Sequence, residues 1–156
     1  MAFRARSYKV GRLGNIITSG QVRKTGQPAF RATADNETNA QTGTFVWTTE
    51  NYDVGGDFDL ANNRFVAPVD GVYLFHHHSL AGSNGNVNND VGFYVNGTFQ
   101  SGTRVREDTG SSNWNTYVMV ALLDLSANDQ VDVRVIAGQV YNNSVTWAVF
   151  EGYLVG

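Results

Sequence analysis

Three consecutive histidines close the alternating run FVAPVDGVYLFHHHSL, residues 65–80, and are the residues of this chain best suited to chemistry. Alternate positions of a strand share a face. His76 and His78 would therefore stand side by side, while His77 falls on the face of Tyr73 and Phe75. Two imidazoles at that spacing are a candidate metal pair, and a threefold axis would turn one histidine into three, a set that zinc accepts. No acid lies in the strand run 71–80 that carries them, and no HExxH-type spacing occurs. The expected reading is therefore imidazoles on a strand face at a subunit contact, with His76 and His78 kept as weak metal candidates.

Other chemistry has less support. There are no cysteines, which excludes a disulfide framework, a thiolate metal site and a cysteine nucleophile. No GxSxG, P-loop or GxGxxG pattern occurs, so neither nucleophilic catalysis nor nucleotide binding has an anchor. The acid pairs Asp57/Asp59 and Glu107/Asp108 sit in Gly/Asn-rich stretches, where Asp serves turns. They and Asn88, Asn89 and Asp90 are minor calcium candidates. Tyr52, Trp114, Tyr117, Tyr141 and Trp147 could stack on sugars. Trp147 reads as packing within its strand, whereas Trp114, after GSSN, reads as a candidate exposed ligand surface. No enzyme activity and no cofactor are expected.

The elements that must position these residues read as strands. From Pro28 onward, short alternating runs are separated by Gly, Asn, Asp and Ser, as in a sandwich or barrel. The runs are 29–34, 44–49 with Phe45 and Trp47 on one face, 63–69, 71–80, 90–102, 115–125, 130–138 and 144–156. Asn96-Gly97 between apolar runs is a strong hairpin signal. Residues 118–125 are apolar on both parities, as expected of a strand covered on both faces. No run shows a helical period, and no apolar run is long enough to span a membrane as a helix. Two packed antiparallel sheets in one domain, 28–156, are the natural solution.

Charge is unevenly placed. Arg4, Arg6, Lys9, Arg12, Arg23, Lys24 and Arg31 precede the first acid, Asp35, so a basic leader runs into an acidic body although the net charge is only −3. Residues 1–27 are broken by Gly11, Gly14, Gly20 and Gly26 and carry short apolar pairs such as Ile16-Ile17. They read as an extended arm that straps onto a protein scaffold, not as a nucleic-acid tail. No continuous apolar h-region is visible at the N-terminus, so export through a signal peptide is not expected.

Six ordered segments resemble the globular head of the complement C1q family, related in fold to tumour necrosis factor. They are Ala29-Phe30-Arg31-Ala32, Asn51-Tyr52-Asp53 with Phe58-Asp59, Arg64-Phe65 with Ala67-Pro68 and Gly71-Val72-Tyr73-Leu74-Phe75, Val95-Asn96-Gly97, Leu122–Leu125 with Asp129-Gln130-Val131, and Phe150-Glu151-Gly152-Tyr153-Leu154. Asn128 stands where the family usually has glycine, and no collagen-like Gly-X-Y stretch is present. The resemblance implies an all-β jelly-roll sandwich of ten strands and a compact homotrimer. The trimer contact would then fall on Val72, Leu74, His76, His78, Val118 and Val120, the outward parities of 71–80 and 118–125.

A head without disulfides on a short basic arm leads, by analogy of context, to a non-enzymatic virion protein. It would be a trimeric phage capsid decoration (cement) protein or a fibre tip for host attachment, made in the host cytoplasm. The arm residues Arg4, Arg6, Lys9, Arg12, Arg23 and Lys24 would bind capsid or other virion proteins. The alternative is a soluble recognition module that binds carbohydrate or a protein receptor.

Overall fold

The computed structural model describes residues 16–18, 21–23, 26–35, 42–81, 88–108, 115–141 and 145–156. In chain order its strands are β1 (Ile16–Thr18), β2 (Gln21–Arg23), β3 (Ala29–Thr33), β4 (Gly43–Thr44), β5 (Thr49–Val54), β6 (Phe58–Asp59), β7 (Arg64–Val66), β8 (Gly71–Ala81), β9 (Asn88–Val95), β10 (Thr98–Phe99), β11 (Val105–Asp108), β12 (Thr116–Leu125), β13 (Gln130–Ala137), β14 (Val140–Tyr141) and β15 (Val149–Leu154). β1 and β2 pair only with each other. The rest form two antiparallel sheets. One runs β12-β8-β15-β3-β5, with β14 also on β8; the other runs β10-β9-β13-β7-β6, with β11 on β9 and β4 on β13. Strands distant in sequence lie side by side, as β3 and β8 do on either edge of β15. That is the crossing of a jelly roll, not a meander.

Alternation decides which face each strand buries. In β8, Tyr73, Phe75, His77, Ser79 and Ala81 are buried, and the intervening residues are not. In β13, Val131, Val133 and Val135 turn inward. Aromatic rings join the two sheets. Phe30 of β3 stacks on Phe58 and Phe65 of the opposite sheet at 4.8 and 4.9 Å between centroids and meets Phe150 of β15 edge-on at 4.8 Å. Offset and edge-on pairs of this kind add to the ~2–3 kcal/mol that each buried ring gains by leaving water. The Asn96-Gly97 hairpin forms as expected: both residues have positive φ, 50° and 77°, which the tight turn between β9 and β10 requires. Asn128 also has a left-handed φ of 74°. Asparagine tolerates that region far better than most residues, so it can take glycine's place there.

Two strand assignments change. The run 44–49 is not one strand: β4 ends at Thr44, β5 begins at Thr49, and the chain between leaves both sheets. Phe45 and Trp47 are still both buried, because the Phe45 N–H reaches the Val133 carbonyl and the Trp47 N–H reaches Asn63 Oδ1. At the C-terminal end, residues 145–147 form a turn, and the strand starts only at Val149. Trp147 is therefore exposed in a turn, not packed within a strand. Glu107 belongs to β11, not to a turn.

Candidate functional site

The β12-β8-β15-β3-β5 sheet closes the core with one face and leaves the other open. Register fixes what the open face carries. Val118, Val120 and Leu122 of β12 lie opposite His78, His76 and Leu74 of β8. Beyond them, Glu151 and Tyr153 of β15 stand opposite His76 and Leu74, and Arg31 of β3 connects Glu151 to Tyr52 of β5. Val118, Val120 and Leu122 are 55%, 61% and 62% exposed, although strands of this length bury such residues where they can. Tyr52, Val54 and Tyr153 are exposed on the same side. Six large apolar or aromatic side chains are thus exposed on one face, more than a scatter of single surface hydrophobics. A hollow of about 210 Å³ in this face is lined by Tyr52, Leu74, His76, Glu151, Gly152 and Tyr153.

One polar row crosses the apolar face. His76 Nδ1 lies 3.0 Å from Glu151 Oε1, and Glu151 Oε2 lies 3.5 Å from an Arg31 guanidinium nitrogen. The His76 and His78 rings are 5.6 Å apart between centroids. Partial burial, and then the neighbouring His76, lower the His78 pKa below the usual imidazole range. His77 is different in kind. It is fully buried, with Nδ1 2.9 Å from the Val149 carbonyl and Nε2 2.9 Å from Ser79 Oγ. A carbonyl only accepts, so Nδ1 carries the proton and Nε2 accepts from the serine hydroxyl. Burial pushes its pKa down to about 3. It is a neutral core residue, edge-on to Phe45 and Trp47.

The predicted contact residues Val72, Leu74, His76, His78, Val118 and Val120 thus share one face. Sequence reasoning named Tyr52 only as a possible sugar platform and missed Leu122, Arg31, Glu151, Val54 and Tyr153. Leu122 could have been found by parity with Val118 and Val120; the others come together only through cross-strand register. Among the described residues, no group of three or more His, Asp or Glu side chains could hold a metal ion. Of the minor calcium candidates, Asp59, Asn89, Asp90 and Glu107 are engaged elsewhere. Asp90 is fully buried and takes two hydrogen bonds from Arg106, at 2.7 and 2.9 Å, and another from Arg104. The bonds from Arg106, and then those from Arg104, hold its carboxyl below the usual range. Asn89 Oδ1 accepts from the Gln139 N–H. Asp59 is bound to Asn62 and Arg64, and Glu107 accepts from the Asn115 side-chain amide at 3.3 Å. Tyr117 is wholly in the core, so it is no sugar platform. Trp114, Arg4, Arg6, Lys9, Arg12 and Lys24 lie outside the described residues. Arg23 is described only in its backbone, opposite Ile16.

The C1q domain model matches residues 29–155. The chain belongs to the C1q domain family. Among solved structures, it is similar to the globular domain of zebrafish complement 1qA, at 21% identity and a TM-score of 0.68, covering 83% of this chain and 98% of that one. It is also similar to murine APRIL, at 14% identity and a TM-score of 0.65, covering 83% and 99%. At those identities the likeness is one of fold. C1q and tumour-necrosis-factor-like domains are generally recognition or structural modules rather than enzymes, and they typically form homotrimers. The residues of the C1q pattern have visible work here. Phe30, Phe65, Phe75 and Phe150 build the aromatic core. Gly152 leaves room for Phe75, whose ring carbon would lie 2.7 Å from a Cβ at 152.

Proposed function

We propose that this C1q-like chain is a non-enzymatic head that works as a homotrimer, closed through the open face of the β12-β8-β15-β3-β5 sheet. The observation that carries the reading is the row Val118, Val120 and Leu122, each more than half exposed on a sheet whose other side is a finished core. A second copy is the occupant that fits best. The polar row through His76, Glu151 and Arg31 is balanced within the chain, so it does not call for a partner of opposite charge. Closing such a face around an axis uses the same patch in every copy.

The head would be moored by residues 1–27 to a larger particle, a virion, as a capsid decoration protein or fibre tip. The uneven charge of the sequence supports this, as does the family match, which starts at residue 29, just past the basic stretch. The capsid or fibre would supply a complementary acidic groove.

Sedimentation equilibrium of the purified chain tests the trimer. A mass three times that of the protomer is expected at micromolar concentration, and Leu122→Glu should reduce it to one with the fold intact. A wild-type monomer overturns the reading. The arm is tested separately: a chain lacking residues 1–26 should remain trimeric but fail to join the particle. Incorporation at wild-type levels would refute that role.

A further inference from the structure

The face proposed to close the trimer carries two histidines at its centre, and they are held differently. His76 has a carboxylate: its Nδ1 is 3.0 Å from Glu151 Oε1. His78 has no such partner. Across β12 it faces Val118, and across β15 it faces Val149, which is almost completely buried. Among the described residues, the charged and titratable groups around it are few. On its own strand they are His76, 5.6 Å away between rings, and His77 on the opposite side of the strand. From β15 comes Glu151, already shared between His76 and Arg31; from β3 comes Arg31 itself. β12 places Val118 opposite it, and the ring donates a hydrogen bond to the Thr146 backbone carbonyl. A positive charge at 78 thus sits beside valines, near one guanidinium and one other imidazole, with the shared Glu151 carboxylate and the Thr146 carbonyl as its only counterweights among the described residues.

We propose that the trimer seam is gated by protons through His78: the neutral ring permits two further copies to close over the face, and the imidazolium opens it. This deepens the trimer reading and rests on it. The physical step is competition. In a free protomer, water still reaches His78 and solvates its charge. In the assembled head, the neighbouring copy removes that water and supplies apolar surface. Proton binding and subunit binding then exclude one another, and each weakens the other by the same factor. The lowered pKa already present in the single chain has the sign this requires, with burial as its first cause. Threefold closure multiplies the effect. Three copies bring three such histidines, so the association constant falls by up to about a thousandfold per pH unit below the free imidazole pKa.

The test is the mass of the full chain at several pH values between about 7.5 and about 5.5, the range in which histidine changes charge. Near-ultraviolet circular dichroism at each point shows that the protomer stays folded. A trimer at the upper value and folded protomers at the lower are expected, with the association constant falling by close to three protons per trimer. His78→Gln should remain trimeric throughout, while His76→Gln should keep the wild-type dependence. His78→Phe is the second variant, in case glutamine disturbs packing. A wild-type trimer equally tight at both values overturns the gate and leaves the trimer standing. So does dissociation that persists in both His78 variants. A wild-type monomer at the upper value removes the trimer itself, and the gate with it.

Discussion

The stability of this fold should fall in mild acid through a single buried residue, His77. The imidazole is fully enclosed, its Nδ1–H donates to the Val149 carbonyl, and its Nε2 accepts from Ser79. Both bonds need the neutral ring. In the unfolded chain the same ring binds a proton near pH 6.5, whereas in the fold burial holds the pKa down to about 3. The sign follows. The folded pKa is depressed for a base, so the stabilisation is complete above about 6.5, where neither state is protonated. It is then lost as the pH falls, because only the unfolded chain gains the proton. The slope approaches ~1.4 kcal/mol per pH unit, which gives about 2 kcal/mol between about pH 8 and about pH 5. Asp59, Asp90 and Asp129, whose pKa values are lowered, titrate below 3.8 and do not enter that window. The assay is urea unfolding at fixed protein concentration, for the wild type and for His77→Phe. Phenylalanine keeps the ring contacts but cannot titrate. It leaves Ser79 and Val149 without their bonds, so the variant should start about 1–3 kcal/mol lower. The gap between the two should then narrow by about 2 kcal/mol on acidification. His78 is present in both proteins and cancels in the difference. Parallel curves would refute the buried neutral imidazole.

Three further outcomes follow from the core. Phe30→Ala removes the ring shared by Phe58, Phe65 and Phe150 and should cost ~3–5 kcal/mol, measured by denaturant unfolding. Gly152→Ala places a methyl 2.7 Å from the Phe75 ring and 2.9 Å from the Leu74 carbonyl, so a loss of ~1–3 kcal/mol is expected in the same assay; an unchanged midpoint would show that the sheet relaxes freely there. Asp90→Asn keeps the shape but takes the negative charge from Arg104 and Arg106. Because both guanidiniums are about half exposed, the expected fall is ~1–3 kcal/mol, read as a lower melting temperature that added salt does not restore.

Much of the architecture was legible in the sequence because side-chain alternation is local. The period of two in residues 71–80 and 130–137 placed Tyr73, Phe75 and His77 inside and separated them from His76 and His78. The Asn96-Gly97 turn was readable because it needs two positive φ values in succession, which few residues supply. The run 144–156 failed at its start, where Trp147 lies exposed in a turn ahead of the strand, and the run 44–49 failed for a different reason. Alternation reports which side chains are buried, not whether the backbone between them is paired, and Phe45 and Trp47 reach the core from a segment outside both sheets. The outward parity of residues 72–78 was also legible in the chain, but that of 118–120 was not, because both parities there are apolar; Val118 and Val120 entered the contact set with the family resemblance.

What only the tertiary structure decided is which strands lie side by side. Glu151 is 75 residues from His76 in sequence, and no periodicity places one against the other. The order β12-β8-β15-β3-β5 does so, and that one fact joins Arg31, Glu151 and His76 into a charge-balanced row and leaves His78 without a carboxylate. The sequence therefore determined the faces of each alternating strand, because a side chain's direction depends on its nearest neighbours along the backbone. The electrostatics of the open face had to wait for the fold, because they depend on groups that only closure of the sheet brings within a few ångströms.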